Sequence, residues 1–285
     1  MATLRDGLDA AARALAAAGI ATPRVDAEWL LAGLLGVGRA TLALALDRAV
    51  SAPLAARYGL AVRRRAGREP LQQILGWEEF RGLRIRVTRD VLVPRPETEA
   101  LVEWALGLLP APRAGVRPLA LDLGTGSGCI ACALARERAD LEVLAVDNSP
   151  AAAVLARENA RALGVAARVR VVVGDLLEPV GPRPAALIVS NPPYLPSDLV
   201  PTLEPEVRSH EPLGALDGGG DGLALIRRIV AGARGRLRPG GALVLETAGR
   251  GQAPEVAALL DAAGFGDVAV REDLAGVSRL VAGRA

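Results

Sequence analysis

The run Ala185-Ala186-Leu187-Ile188-Val189-Ser190, ending abruptly in Asn191-Pro192-Pro193-Tyr194, constrains this chain more than any other stretch. A continuous run of mostly small and β-branched residues without alternation reads as a parallel strand covered on both faces. A parallel sheet needs crossover connections, and ligands bind beyond the carboxyl ends of such strands. Pro192 and Pro193 fix φ and push the residue before each towards an extended conformation. Neither donates an N–H. The Asn191 side-chain oxygen and the Pro192 carbonyl therefore form a stiff row of acceptors beside Tyr194, suited to holding a planar –NH2 by both hydrogens. Taken alone, Asn-Pro-Pro-Tyr is also consistent with a proline-rich turn leaving a strand.

The surroundings favour the first reading. From residue 117, strands are expected near 118–123, 141–147, 168–173, 185–190, 241–246, 267–271 and 278–283. Helices are expected near 127–138, 150–163, 221–237 and 253–263. That alternation predicts an α/β fold with a doubly wound, mostly parallel seven-stranded sheet. The last two strands are joined by too short a loop for a crossover, so they should pair antiparallel at one edge. Before the sheet, residues 1–75 read as helices only, with Leu4, Leu8, Ala11, Ala12 and Leu15 on one face. Thr22 and Pro23 mark a second helix start, followed by Trp29, Leu30, Leu34 and Leu35. The expected organisation is a helical domain over 1–75, a β-hairpin linker over 76–93 and a catalytic domain over 94–285.

The first sheet strand runs into Gly124-Thr125-Gly126-Ser127-Gly128, where alternate glycines allow a sharp turn and close approach of a ligand. The second strand ends in Asp147, placed to accept from both hydroxyls of a ribose. The nicotinamide fingerprint G-x-G-x-x-G is absent, because Cys129 stands where its last glycine would be. Alternate glycines instead suit the amino-acid tail of S-adenosylmethionine, which brings no pyrophosphate. At the third strand end, Asp175 is placed to accept from an adenine amino group and Leu176 to pack on the ring. Cofactor contacts are thus expected from Gly124 to Gly128, Asp147, Asp175, Leu176 and Asn191. The acceptor amide is expected at Asn191, Pro192, Pro193 and Tyr194, with Asn191, Pro192 and Tyr194 carrying the catalysis.

Aromatic residues make up 2% of the chain, so Ala, Val and Leu must build the core. The net charge of +2 and the lack of aromatic stacking platforms speak against a general nucleic-acid binder. Arg63-Arg64-Arg65 and Arg68 read as a solvated helix end, with a partner surface as the alternative. Cys129 and Cys132 have no second cysteine pair and only one histidine in the chain, so they read as core residues and no metal is expected. With no signal peptide and no apolar run of about 20 residues, a cytoplasmic monomer with no membrane association is expected.

With these features assembled, the chain resembles the release-factor glutamine methyltransferases (the HemK family). The likeness extends to Val93-Pro94-Arg95-Pro96-Glu97-Thr98-Glu99, and to Gln73-Ile74-Leu75-Gly76 with Glu79-Phe80. It includes Glu211-Pro212, Ala215-Leu216-Asp217-Gly218-Gly219, Asp221-Gly222-Leu223 and Arg238-Pro239-Gly240-Gly241. These motifs span roughly residues 70–285, and the helical part matches the family's small substrate-docking domain in type. The family's usual aromatic before Glu211-Pro212 is His210 here, and Glu246 is followed by Thr247-Ala248 rather than Ile-Gly. The resemblance implies N5-methylation of the glutamine in the Gly-Gly-Gln tripeptide of class 1 peptide-chain release factors, with no direct nucleic-acid requirement.

Adenine-N6 and guanine-N2 nucleic-acid methyltransferases share Asn-Pro-Pro-aromatic because they face the same planar amine, but they normally carry a basic recognition region. A non-catalytic cofactor-binding module would be marked by loss of Asn191 or Asp147, and both are intact. His210, the one histidine, invites the role of base, but an amide nitrogen needs no deprotonation before attack on a sulfonium methyl. His210 is expected to shape the glutamine pocket by packing. His210→Phe should therefore retain most activity in a methyl-transfer assay. A loss of about 10²-fold or more in a folded, cofactor-binding variant would make His210 the base.

Overall fold

The computed structural model describes residues 3–249, 251–273 and 275–285. The chain divides into two compact units, a helical one of Met1–Trp77 with Glu204–His210 and a sheet unit of Glu78–Leu203 with Glu211–Ala285. Among the described residues no helix is long and apolar enough to cross a membrane.

The helical unit contains α1 (Leu4–Ala17), α2 (Pro23–Leu35), α3 (Arg39–Ala43), α4 (Ala52–Ala66) and α5 (Leu71–Leu75). Helix α1 begins with a capping box in which Thr3 Oγ1 accepts from Asp6 N and the Asp6 carboxylate accepts from Thr3 N. It buries Leu4, Leu8, Ala11 and Leu15. Thr22 precedes α2 as expected, but its hydroxyl caps no backbone N–H; it donates to Asp26 Oδ1 at 2.8 Å. The arginines at the end of α4 depart from the expected solvated cluster. Arg65 is buried and bonds Asp26 Oδ2 at 2.7 Å, Glu206 Oε1 at 3.0 Å and the Glu69 carbonyl at 3.2 Å. Arg64 pairs with Glu69, and Arg68 with Glu206 and the Gly19 carbonyl. Burial selects these partners, since a guanidinium out of water must be matched by carboxylates.

The sheet unit begins within the first strand of the hairpin β1 (Trp77–Phe80) and β2 (Leu83–Arg86), followed by α6 (Glu97–Leu108). The main elements follow as β3 (Leu119–Leu123), α7 (Cys129–Glu137), β4 (Glu142–Asp147), α8 (Pro150–Ala162), β5 (Val169–Val173) and β6 (Ala185–Ser190). After the short helix α9 (Pro205–His210), which belongs to the helical unit, come α10 (Ala224–Ala233), β7 (Leu237–Glu246), α11 (Gln252–Ala262), β8 (Gly266–Glu272) and β9 (Ser278–Arg284). The seven-stranded sheet has the order β5-β4-β3-β6-β7-β9-β8, parallel through β7, with β9 antiparallel to both neighbours. This is the α/β sheet expected from the alternation, with its antiparallel pair at one edge. All six residues of β6 are buried, which explains their uninterrupted apolar character. The edge strand β8 is mostly exposed and carries Asp267, Arg271 and Glu272, charges that discourage pairing with another edge.

Apolar layers pack on each face of the sheet, one including α6, α7 and α8 and the other α10 and α11. Cys129 and Cys132 lie in the first layer, where burial pushes both thiols up to about 12. They are core residues.

The polar interior of the helical unit gives a direct test. Arg65→Ala leaves the Asp26 carboxylate buried without its cation, and should cost about 3–5 kcal/mol. Arg64→Ala breaks an exposed pair and should cost less than about 1 kcal/mol. Urea unfolding that returns equal costs for the two would show that Arg65 is solvated, as its sequence context alone suggests.

Candidate active site

The sheet topology fixes where a ligand can sit. Strands β3, β4 and β5 step outward in one direction, and the chain then returns to lay β6 against the other side of β3. At such a switch point the loops leaving the two central strands diverge and open a crevice. Those loops are Gly124–Gly128 after β3 and Asn191–Tyr194 after β6. A cavity at this place is lined by Gly124, Thr125, Gly126, Ser127, Asp147, Asp175, Leu176, Asn191, Pro192 and Pro193. Its remaining wall includes Arg95 from the segment leading into α6, Thr98 from the first turn of α6, and Pro212 and Ala215 from the segment before α10.

Gly124 and Gly126 adopt φ of +71° and +54°, and no atom lies within 4 Å of where a Cβ on either would stand. The loop therefore offers bare backbone to a ligand. Its shape is held by two acids. Asp147 Oδ2 accepts from Gly126 N at 2.7 Å, while its Oδ1 accepts from Ser149 N at 2.9 Å. Each oxygen keeps lone-pair capacity, so the carboxylate can still receive two hydroxyls. Asp122, fully buried within β3, accepts from Thr125 Oγ1 at 2.6 Å and from Ala131 N at 3.2 Å. It thereby caps the first turn of α7, where the helix dipole favours a negative charge. Burial nevertheless pushes its carboxyl up to about 7, against those two bonds.

Two residues expected to touch the cofactor behave differently. Gly128 does not line the cavity. At φ +79° it starts α7, and a Cβ there would come within 3.1 Å of Ala156 Cα. Its lack of a side chain serves close approach of α7 and α8. Asp175 does line the cavity, but one of its oxygens is engaged by Arg228 at 2.7 Å, leaving the other for a ligand. Leu176 adopts φ +47°, a left-handed conformation costly for a branched side chain, at the turn where β5 meets the cavity.

Asn191 Nδ2 donates to Thr98 Oγ1 at 3.1 Å. Its Oδ1 and the Pro192 carbonyl accept no hydrogen bond from the described residues, so both acceptors remain available. Ser190, just before them, is fully buried and donates to the Leu123 carbonyl at 2.6 Å. Tyr194 departs from expectation. It is absent from the cavity wall and packs against the apolar layer of α10 and α11, where burial holds its hydroxyl well above the usual phenol range. Its carbonyl accepts from Gln252 Nε2 at 2.9 Å, which ties down the far end of the Asn191–Tyr194 turn. A phenol ring beside an apolar helical layer gains more from burial than from facing an open cavity.

His210 also departs from expectation. It ends α9 in the helical unit, where its carbonyl accepts from Gln73 Nε2 at 3.1 Å, and it does not line the cavity. Its neighbour Glu211 supports the wall instead. Buried, it accepts from Val93 N at 3.3 Å and from Arg95 at 2.7 Å, fixing the segment that leads to Thr98. Thr98 falls inside the motif Val93–Glu99, yet reading by motif gave it no role at the site; its bond with Asn191 spans 93 residues of chain and has no local signal. Among the described residues no group of three or more His, Cys, Asp or Glu is placed to hold a metal ion.

This geometry has relatives. Residues 6–76 match the family model of the PrmC N-terminal domain, and residues 108–199 that of the methyltransferase small domain. A structure of a methyltransferase from Pyrococcus furiosus superposes with a TM-score of 0.53 at 18% identity, covering 72% of this chain and 90% of that one. Human methyltransferase 10 domain containing protein gives a TM-score of 0.52 at 17% identity over 71% of this chain and 88% of that one. These two share the fold. Sequence likeness goes further. The release factor glutamine methyltransferase of Geobacter sulfurreducens is 46% identical over 99% of this chain and 96% of its own length. That of Cereibacter sphaeroides is 48% identical over 98% and 97%. Identity at that level, running through the helical unit and the sheet unit alike, places the chain in the release factor glutamine methyltransferase family.

Proposed function

We propose that this enzyme transfers a methyl group from S-adenosylmethionine to the side-chain amide nitrogen of the glutamine in the Gly-Gly-Gln motif of class 1 peptide-chain release factors. The observation that carries the reading is the polarity of Asn191. With Nδ2 spent on Thr98, Oδ1 stands as an acceptor next to the Pro192 carbonyl, in the wall of a cavity that also holds the glycine loop and Asp147. When bound, S-adenosylmethionine supplies an electrophilic methyl group on a positively charged sulfur.

The chain's own residues meet the difficulty at the acceptor. An amide nitrogen is a poor nucleophile because its lone pair is delocalised into the carbonyl. Asn191 Oδ1 and the Pro192 carbonyl take one N–H each and orient the nitrogen so that its lone pair is exposed. Both contacts strengthen as positive charge develops on that nitrogen, so they favour the transition state over the bound substrate, and one of the two N–H protons is lost to water after the N–C bond has formed. Asp147 is assigned to the ribose hydroxyls, the bare backbone at Gly124 and Gly126 to the amino-acid tail, and Asp175 with Leu176 to the adenine. Pro193 and Tyr194 hold the acceptor turn in shape.

Adenine-N6 or guanine-N2 methylation would use the same acceptor pair. The protein substrate is favoured by the likeness of residues 6–76 to the PrmC N-terminal domain, read here as the release-factor docking unit. It is favoured also by the arginines of α4, of which Arg64 and Arg65, with the following Arg68, are engaged by Asp26, Glu69 and Glu206 rather than free for phosphates. We read it as a cytoplasmic enzyme, in keeping with a translation substrate, and as a monomer that acts without nucleic acid.

Mass spectrometry of a release factor incubated with the enzyme and S-adenosylmethionine should show one added CH2 on the Gly-Gly-Gln peptide. Asn191→Ala should lower the rate by about 10²–10³ while leaving cofactor affinity near that of wild type. Asp147→Ala should instead weaken cofactor binding, by about 1.5–3 kcal/mol for each charge-assisted bond lost. Calorimetry showing unchanged cofactor affinity for Asp147→Ala would reverse the assigned orientation, and an Asn191→Ala enzyme of near wild-type rate would remove Asn191 from the reaction.

A further inference from the structure

Gly218 and Gly222 do not line the cavity, yet both are buried against the turn that carries the acceptor oxygens. A Cβ on Gly218 would stand 2.7 Å from the Pro193 carbonyl oxygen and 2.5 Å from that of Gly222. One on Gly222 would stand 2.2 Å from the Tyr194 carbonyl oxygen. It would also come within 2.8 Å of Gln252 Nε2, the group that bonds that oxygen. The obstacles are mostly backbone atoms in a close-packed interior, so they cannot swing aside as the end of a side chain can.

The turn needs support from outside itself. Pro192 and Pro193 carry no N–H, so neither can be tied down as a backbone donor. The residues that follow supply the anchor. Leu195 N donates to the Leu216 carbonyl at 3.1 Å, Gly218 N to the Leu195 carbonyl at 2.8 Å, and Ser197 N to the Gly219 carbonyl at 3.0 Å. Asp217 clasps both limbs of this bracket, its Oδ1 accepting from Ser197 Oγ at 2.7 Å and from Gly219 N at 2.9 Å. These bonds draw the two backbones together, and the bare Cα atoms of Gly218 and Gly222 let them close.

We propose that Asp217, Gly218 and Gly222 are positioning residues for the transfer, forming a backbone bracket that seats the Asn191–Tyr194 turn and so sets where the Asn191 amide oxygen and the Pro192 carbonyl stand. The inference rests on the acceptor role proposed above for those two oxygens. The glycine loop and Asp147 are held by other bonds, at Gly126 N and Ser149 N. Disturbing the bracket therefore moves the acceptor side of the cavity and spares the cofactor side.

Gly218 lies outside the left-handed region, so Gly218→Ala tests contact alone. Gly220→Ala is its control, since no atom lies within 4 Å of where that Cβ would stand. In 15N–1H spectra of the free, labelled protein, the Asn191 side-chain amide signals should shift in Gly218→Ala and stay in place in Gly220→Ala. The Gly124 and Gly126 signals should stay in place in both. With release factor as substrate, Gly218→Ala should lower kcat by about 10²-fold at unchanged cofactor affinity, the effect of misplacing a reacting group by about 1 Å. Asp217→Ala adds no atom and decides the matter if Gly218→Ala fails to fold. It should shift the Asn191 signals and lower kcat about tenfold, and Asp217→Asn, which keeps an acceptor oxygen, should restore both. A folded Gly218→Ala enzyme with the kcat or the Asn191 signals of wild type would overturn the proposal. So would an equal loss of cofactor affinity, or an Asp217→Asn enzyme as slow as Asp217→Ala. If the wild-type protein fails to methylate the release factor, the proposed function falls, and the spectra still decide this one.

Discussion

The parallel pairing of β3 with β6, ending at Leu123 opposite Ser190, is the constraint on which the rest of the site depends. It joins segments 67 residues apart and is closed by the Ser190 hydroxyl on the Leu123 carbonyl. Because the crossovers reverse direction at this pair, the two loops that leave it have no helix packed between them. The glycine loop and the Asn-Pro-Pro turn therefore open into one crevice. A slip of register at β6 would carry Asn191 away from the glycine loop and from Thr98 together. The hydroxyl in the last position of an otherwise apolar strand is placed where such a slip would leave it buried and unpaired.

Around that crevice the sheet spends its acids at strand ends, and burial gives each a different task. Asp147 is partly open, takes two backbone N–H groups and keeps lone pairs for a ligand. Asp122 is sealed into β3 and consumed by the loop and the first turn of α7. Glu246 is equally sealed, and like Asp122 it keeps one oxygen without a hydrogen-bond partner among the described residues. The same functional group thus ranges from a partly open cavity wall to sealed architecture. What differs is how many protein donors reach each oxygen.

A similar economy governs the arginines. With no lysine in the chain, every cationic side chain of the Lys/Arg type is a planar fork able to bond several acceptors at once. Arg65 uses this to join α2, α4 and the α9 segment within the helical unit, and Arg95 uses it to brace the cavity wall through Glu211. Charge that looks like a solvated patch in the sequence is in part internal scaffolding.

The sequence by itself determined the sheet, its antiparallel edge, the helical N-terminal region and the two loops that carry the site. These follow from local signals: apolar runs of strand length, glycines where φ must be positive, and prolines that end a strand. The place of Asn191, Pro192 and Asp147 in the cavity wall was legible for the same reason, since each stands at the exit of a strong strand. Only the tertiary structure decided what long-range packing controls. Gly128 was drawn to α8 rather than the cavity wall, Tyr194 turned into an apolar layer, and His210 fell to the helical unit. Arg65 found its carboxylates across the bundle. Thr98, 93 residues before Asn191 and given no site role by its motif, accepts from the Asn191 carboxamide only because α6 packs against β6. Local chemistry is written in a residue and its neighbours. Partnership across a fold is set by burial, which forces each polar group to find a mate among whatever the packing brings near.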